Sequence, residues 1–135
     1  MVENFQSESK KSGDDFESIV LTDMKRFGYK DIEKNVFIED VGCEVDFATV
    51  HNGQRILVEA KGGKSGGSKR PGAQRTDNVK KAIASGALIK SAHPDYKYVV
   101  YFSDLPKHGL SSHKMIKSAI LFGHIDQVIY LIEND

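Results

Sequence analysis

Residues 43–61 read CEVDFATVHNGQRILVEAK, and this stretch decides the fold that the sequence predicts. Two runs rich in β-branched and other apolar residues, 43–50 and 55–61, are separated by a short polar segment. That segment contains Asn52-Gly53, and Asn-Gly between two such runs is a strong hairpin signal because both residues accept positive φ angles. The stretch therefore predicts two antiparallel strands joined by a tight turn.

A helix and a weaker strand are predicted before the hairpin. Ser12 and Asp15 form a capping-box pattern at the start of the helix, and Gly28 is placed to end it. Residues 35–39 alternate weakly and predict a short strand. Inside the helix, apolar residues recur at helical spacing at Phe16, Ile19, Val20, Met24 and Phe27.

A glycine-, serine- and lysine-rich loop over residues 62–72 follows the hairpin. A second helix is predicted over residues 73–91, although Gly86 weakens the helical pattern slightly. The residues expected to face inward from this helix are Val79, Ile83, Ala87 and Leu88.

The remainder of the chain alternates between strand and helix. Residues 98–102 and 127–132 are apolar runs that predict buried strands. Ser111 or Ser112 is expected to cap a third helix that ends before Gly123. The full order is then α-β-β-β-α-β-α-β without an internal repeat, which predicts a single mixed α/β domain.

Length and composition are those of one domain in a reducing compartment. At 135 residues the chain can bury a single core, and we expect one domain over residues 12–135 behind a flexible polar tail over residues 1–11. No apolar run approaches the roughly eighteen residues that span a bilayer, and the N-terminus lacks a signal-peptide pattern. The single cysteine, Cys43, cannot form an internal disulfide. We therefore expect a soluble cytoplasmic protein in which Cys43 has a packing role.

Charge is balanced overall but unevenly distributed along the chain. The sequence has 19 basic and 19 acidic residues, with an excess of acids before residue 61. A basic segment beside an acidic one suits a phosphodiesterase, because the bases attract phosphates while carboxylates hold a metal ion. The alternative is a solvated helix face with a lysine-rich loop. Against Asp77 alone, residues 61–90 contain the basic residues Lys61, Lys64, Lys69, Arg70, Arg75, Lys80, Lys81 and Lys90.

Three residues of the hairpin carry the chemistry that the sequence predicts. Glu59 and Lys61 are two apart on a strand and therefore project from the same face, and Asp46 lies on the preceding strand. Both strands are otherwise apolar, so these charges are costly unless they meet a cation, each other or solvent. Two carboxylates and the backbone carbonyl of Ala60 are hard oxygen donors that suit Mg²⁺. The alternative is an ion pair between Glu59 and Lys61 on an edge strand.

Asp46 followed by Glu59-Ala60-Lys61 at the end of the next strand resembles the motif of the PD-(D/E)xK nuclease superfamily. The resemblance covers about residues 12–104 and departs from the family name at Val45, which stands where the name has proline. It implies a restriction-endonuclease-like α-β-β-β-α-β core, with a central mixed sheet flanked by helices. The superfamily includes restriction enzymes, some homing endonucleases, junction-resolving enzymes and repair exonucleases. The resemblance further implies that Glu17 of the first helix approaches the metal site and that Gln74 of the second helix supports the catalytic lysine or contacts DNA. The alternatives are an exposed charge near a helix N-terminus for Glu17 and a surface position for Gln74.

The spacing argues against a phosphate-binding P-loop. Gly62-Gly63-Lys64-Ser65 looks like the end of that motif, but the motif needs a glycine where Val58 stands, and no helix is expected directly after Lys64. The histidines lie at turns or loop edges without the spacing of a zinc site, so surface or capping roles are expected for them. They are His51, His93, His108, His113 and His124.

The function expected from these residues is one-step hydrolysis of DNA with Mg²⁺, for which Mn²⁺ can substitute. Asp46 and Glu59 hold the cation against a phosphate oxygen, and Lys61 orients or deprotonates the attacking water and stabilises the developing charge. A homodimer that makes site-specific double-strand cuts, of the restriction or phage and mobile-element homing type, ranks ahead of a junction-resolving nuclease. A non-catalytic DNA-binding module of the same fold is the third alternative. The expected DNA-backbone contacts are Lys64, Lys69, Arg70 and Arg75.

Overall fold

The computed structural model describes residues 5–62, 73 and 76–132, and in the first helix it describes side chains from Asp15 onward. The order of the elements is the predicted α-β-β-β-α-β-α-β. None of the helices in this part of the chain is long and apolar enough to cross a membrane. The elements are α1 (Phe5–Phe27), β1 (Glu33–Ile38), β2 (Cys43–His51), β3 (Gln54–Lys61), α2 (Thr76–Ala92), β4 (Lys97–Phe102), α3 (Ser111–Leu121) and β5 (Gln127–Tyr130).

The five strands form one mixed sheet in the order β1-β2-β3-β4-β5. β1, β2 and β3 pair antiparallel, whereas β3, β4 and β5 pair parallel. The hairpin between β2 and β3 is confirmed: Asn52 and Gly53 have φ angles of 51° and 78°, and His51 pairs with Gln54. The prediction of a mixed α/β domain is therefore confirmed, and β3 is the middle strand.

Helices cover both faces of the sheet. On one face, α1 contributes Phe16, Val20 and Met24 to a core that includes Val58 and Tyr101. On the other face, α2 and α3 pack over a second core. Cys43 is half-buried and packs against this second core as predicted. The fully or nearly fully buried members of the second core include Val79, Ala82, Ile89, Ile116, Val45, Leu57, Tyr98, Val100 and Phe102.

The helix boundaries correct three sequence predictions. α1 begins at Phe5, so Ser12 lies inside the helix and does not cap it, and the helix extends into the predicted tail. α2 begins at Thr76, later than the predicted residue 73. α3 has Leu110 at its N-cap position and no side-chain capping bond, so the serines that follow are helical residues.

Two apolar side chains of the predicted helical patterns are exposed, Phe27 and the inward-facing candidate Leu88. Phe27 is 66% exposed and lies past the last buried turn of α1, where its ring packs 4.9 Å from that of Tyr29. Leu88 is 52% exposed. The buried stripe of α2 advances from Val79 by three and four residues in turn, which places Ile89 in the core instead of Leu88.

Gly86 is required by packing although it weakens the helical pattern. A Cβ atom at this position would lie 2.2 Å from the carbonyl oxygen of His124 and 2.8 Å from Cε2 of Tyr98. The missing side chain lets α2 approach β4 and the connection that follows α3. Tyr98 completes this contact by donating a 3.0 Å hydrogen bond from its hydroxyl to the carbonyl of Ala82.

The helix connections bring several elements to the carboxyl edge of β3 and β4. Only residues 93–96 join α2 to β4, so the N-terminal end of α2 lies at the sheet edge where β4 ends. α3 is joined to β5 in the same way by residues 122–126, and β5 is parallel to β4. At this edge, Ser103 N–H donates to the carbonyl of Lys61, and Ala73 N–H donates to Oδ1 of Asp104.

Candidate active site

The candidate site lies where the backbone pairing between β2 and β3 ends. That pairing runs from His51 and Gln54 to Phe47 and Val58. Beyond it, two carboxylates accept hydrogen bonds from the backbone of the opposite strand. Asp46 N–H donates to Oε1 of Glu59 over 3.2 Å, and Ala60 N–H donates to Oδ2 of Asp46 over 2.7 Å. These reciprocal bonds fix both carboxylates against the sheet.

At Asp46, strand β2 changes which of its side chains face each side of the sheet. Val45 packs in the core under α2 and α3, whereas Phe47 packs in the core under α1. Residues two apart in a regular strand share a face, so β2 changes its orientation between these two residues. Asn35 has a φ of 52° and stands opposite Asp46 in the register between β1 and β2, with regular pairs on either side. Asparagine accepts this left-handed conformation at lower cost than most residues.

Glu59 and Lys61 share one face of the sheet as the sequence predicts. Val58 and Ala60 pack in the core under α1, which leaves Glu59 and Lys61 on the face that carries α2 and α3. Lys61 Nζ lies 3.4 Å from Oε2 of Glu59. The ion pair between Glu59 and Lys61 that the alternative predicts is therefore present. It does not lie on an edge strand, because β3 has a neighbouring strand on each side.

Burial and a neighbouring charge shift the acidity of Glu59. The residue is only 6% exposed. Burial and then the charge of Asp46 raise the pKa of Glu59 to about 7, while Lys61 and the N–H of Asp46 act in the opposite direction. Beneath the site, burial and the charges of Glu59, Cys43 and Asp46 raise the pKa of Tyr98 well above its usual value. The site therefore holds two adjacent carboxylates, and the charged form of Glu59 lacks sufficient compensation from the protein.

The donor set fits a small divalent cation. The backbone N–H groups bond to Oδ2 of Asp46 and to Oε1 of Glu59. The other carboxylate oxygens, Oδ1 of Asp46 and Oε2 of Glu59, could therefore act as metal ligands on side chains whose positions these bonds fix. A cation between them would offset the charge that burial disfavours. Among the residues that the structure describes, no group of three or more His, Cys, Asp and Glu side chains is placed to hold a metal. Mg²⁺ is commonly held by one or two carboxylates, with water and substrate phosphate completing its shell.

The remaining predicted residues are Glu17, the Ala60 carbonyl and five residues outside the described part of the chain. Glu17 is half-buried on α1, next to Phe16. A Cβ atom on Gly62 would lie 2.2 Å from Cδ2 of Phe16, so α1 closely approaches the residue that follows Lys61. The support that Glu17 gives the site, and the metal contact of the Ala60 carbonyl, stay predictions. Residues outside the described range are Lys64, Lys69, Arg70, Gln74 and Arg75.

Three residues at or near the candidate site were not predicted from the sequence, namely Tyr98, Asn35 and Asp104. Tyr98 lies under both carboxylates, and its register partner Leu57 precedes Glu59 by two residues, so a parallel pairing of β3 with β4 would have indicated it. Asn35 and Asp104 act through contacts between segments distant in sequence, and no local pattern marks them. No protein-family model and no curated protein matches the chain. The functional assignment therefore depends on the geometry of the site and on the resemblance of its motif.

Proposed function

We propose that the protein is a metal-dependent endodeoxyribonuclease with a restriction-endonuclease-like core and an active site formed by Asp46, Glu59 and Lys61. The observation that supports it most is the pair of reciprocal bonds that fixes two carboxylates beside a lysine at the end of the middle strand. A buried carboxylate beside a second carboxylate is unfavourable in a purely structural role, and perturbed acids of this kind concentrate at functional sites. Burial of Glu59 beside a like charge is such a case.

Asp46 and Glu59 would hold Mg²⁺, or Mn²⁺ in its place, through the oxygens that the backbone bonds leave available. The bound cation supplies charge that polarises a phosphate oxygen and favours ionisation of water. Lys61, beside Oε2 of Glu59, would orient the attacking water and offset the negative charge that grows on the phosphate. Water oxygen forms the new bond to phosphorus as the ester P–O bond breaks. One water proton passes to the leaving oxygen and the other to solvent.

We further propose that the protein cuts both strands of duplex DNA at specific sites as a homodimer. One chain carries one such site, and cleavage of two strands is most direct with two sites. The C-terminal end of α3 offers a surface for the second subunit, because Ile120 is 45% exposed and Leu121 is 79% exposed. Contiguous exposed apolar surface is a feature of interaction sites.

Cleavage of supercoiled plasmid with Mg²⁺, with Mn²⁺ and with EDTA tests the activity. Linear duplex, nicked, flapped and four-way junction DNA then separate site-specific cutting from cutting of particular structures. Wild type should cut with either metal and not with EDTA. Glu44→Gln is the matched control, since Glu44 is an exposed carboxylate two residues before Asp46 on the same strand. Activity that persists with EDTA, or its absence with every metal and substrate, would refute the proposal.

A further inference from the structure

The outer surface of α2 and α3 carries several exposed lysines, whereas the only acid in these two helices is Asp77, in the first turn of α2. Residues 105–125 contain three lysines and three histidines but no aspartate or glutamate. Together with two lysines of α2, the lysines of this segment are exposed. Within the described part of the chain, none of them forms a salt bridge. We call this set the α2–α3 basic surface, and its members are Lys80, Lys81, Lys107, Lys114 and Lys117.

A groove between the two helices joins the two sides of this surface. The groove has a volume of about 400 Å³, and Lys80 from α2 and Lys114 from α3 both line it. Ile83, Met115 and Ala119 are among its apolar lining residues, and no lining residue is acidic. Phosphate oxygens bound between Lys80 and Lys114 would therefore meet no repulsive carboxylate within the groove.

The basic surface lies at the edge of the sheet that contains the candidate site. α2 and α3 both begin at the carboxyl edge of β3 and β4, and Lys80 and Lys114 each lie about one turn into their helix. Lys107 lies in the connection between β4 and α3, and that connection starts at Ser103, whose N–H donates to the carbonyl of Lys61. The aligned peptide dipoles of both helices add positive potential at this edge.

On the opposite face, the described side chains of α1 show no comparable excess of positive charge. The described side chains of α1 mix acids with bases, since Asp15, Glu17 and Asp23 precede Lys25 and Arg26. The formal net charge of the chain is zero, so the excess of lysine over α2 and α3 is matched by acids elsewhere. A polyanion is therefore attracted more strongly to the α2–α3 side than to the described side chains of α1.

We infer that the α2–α3 basic surface binds the phosphate backbone of the nucleic acid whose adjoining segment enters the candidate active site. The path toward Asp46 and Glu59 rests on the proposed nuclease function, whereas the attraction of a polyanion rests on the charges alone. Nucleic acid fits better than an acidic protein because the lysines are spaced over two helices and a connection, as a repeating phosphate charge requires. Its residues differ from those that the sequence analysis expects at the DNA backbone, Lys64, Lys69, Arg70 and Arg75.

Binding of labelled duplex DNA by Lys80→Glu/Lys114→Glu, measured by fluorescence anisotropy in EDTA over a salt series, tests the inference. The matched control is Lys25→Glu/Lys30→Glu, which makes the same change in net charge at exposed lysines on or just after α1. The groove variant should bind at least roughly tenfold more weakly at 0.1 M salt, and its log–log salt slope should fall by roughly 0.9 per lost contact. The control should keep the wild-type affinity and slope. Lys80→Arg/Lys114→Arg should also keep them, because arginine supplies the same charge.

Each other result overturns the inference. Equal loss in the groove variant and in the control means that only net charge matters. Undiminished affinity in a folded groove variant, checked by its thermal unfolding, means that this surface serves a different partner, such as an acidic protein. Absence of DNA binding by the wild-type protein would also overturn the inference. The proposed nuclease fails separately: a protein that binds DNA through this surface and never cuts it keeps the inference and loses the proposed function.

Discussion

The backbone N–H of Ala60 donates a 2.7 Å hydrogen bond to Oδ2 of Asp46, across the point where β2 and β3 stop pairing through their backbones. The same carboxylate that would hold a cation therefore also joins the two strands. A substitution at Asp46 can remove the charge, the acceptor or both, and the two effects are separable because asparagine keeps an oxygen acceptor while alanine does not.

Asp46→Asn should reduce cleavage by at least about 100-fold and leave the protein folded, because the amide retains an acceptor for Ala60 but not the charge that holds a cation. Asp46→Ala should lose cleavage equally and should also lower the free energy of unfolding by about 1–3 kcal/mol, since the Ala60 N–H loses its partner. Plasmid cleavage and urea unfolding measure the two effects. Near wild-type cutting by Asp46→Asn would show that the site is wrongly assigned.

Glu59→Gln and Lys61→Ala should abolish cleavage as completely as Asp46→Asn. Glu59 contributes the second carboxylate, and Lys61 contributes the positive charge beside it. Single-turnover cleavage with saturating enzyme separates this loss from weaker binding. Glu44→Gln should cut at the wild-type rate. If Lys61→Ala retains the wild-type rate at saturation, lysine has no part in the chemistry.

The stability of the metal-free protein should fall as pH rises, because burial and Asp46 raise the pKa of Glu59 from 4.5 to about 7. The folded protein then binds this proton more tightly than the unfolded chain. The stabilisation is fully present below pH 4.5 and is lost as pH rises through about 7. Its size is at most about 3 kcal/mol. Urea unfolding in EDTA at pH 5 and pH 8 measures it, and Glu59→Gln should remove this part of the difference. An unchanged pH dependence in Glu59→Gln contradicts the assignment to Glu59.

Mg²⁺ and Mn²⁺ should support cleavage, whereas Ca²⁺ should allow DNA binding but little cleavage, because it is larger and has looser coordination geometry. Mg²⁺ should also raise the midpoint of thermal unfolding by binding only the folded protein. Glu59→Gln tests the site of this effect, since it should shift less with Mg²⁺ than wild type. Turnover with Ca²⁺ equal to that with Mg²⁺ would refute the metal assignment.

Gly86→Ala should destabilise the protein, although alanine is the better helix former by about 1 kcal/mol. The new Cβ would lie 2.2 Å from the backbone oxygen of His124, which cannot move without shifting the connection to β5. We expect a loss of about 1–3 kcal/mol in the free energy of unfolding. Ala84→Gly, at an exposed position of the same helix, should cost only the propensity difference. A more stable Gly86→Ala would mean that α2 does not pack this closely.

The hairpin and the common face of Glu59 and Lys61 could be predicted because they depend on local properties of the chain. Asn52-Gly53 sets the turn, and the two-residue period of a strand sets the face. The orientation of Asp46 could not be predicted in this way. It depends on a turn of β2 opposite Asn35, and the pairing that brings these residues together connects different strands.

The buried face of α2 could not be predicted correctly from the sequence either. Val79, Ile83, Ala87 and Leu88 form an acceptable helical stripe, and the hydrophobic pattern alone favours it. The observed stripe passes through Gly86 instead, because close contact with Tyr98 and His124 selects the smallest residue at that point. A pattern based on hydrophobicity assigns little weight to glycine and therefore misplaces the face by part of a turn.

We expect Asn35 also to reduce association between molecules at high concentration. β1 is an outer strand, and an outer strand with a regular row of free N–H and C=O groups is a template on which another molecule can add a strand and begin to aggregate. The left-handed conformation of Asn35, with a φ of 52°, interrupts that row halfway along β1, and the charged side chains of Glu33 and Lys34 precede it. We therefore expect Asn35, which lies opposite the change in orientation of β2 at Asp46, also to protect the outer edge of the sheet. A β-branched replacement such as Asn35→Val would favour a straighter β1 to which a strand of another molecule could pair more readily.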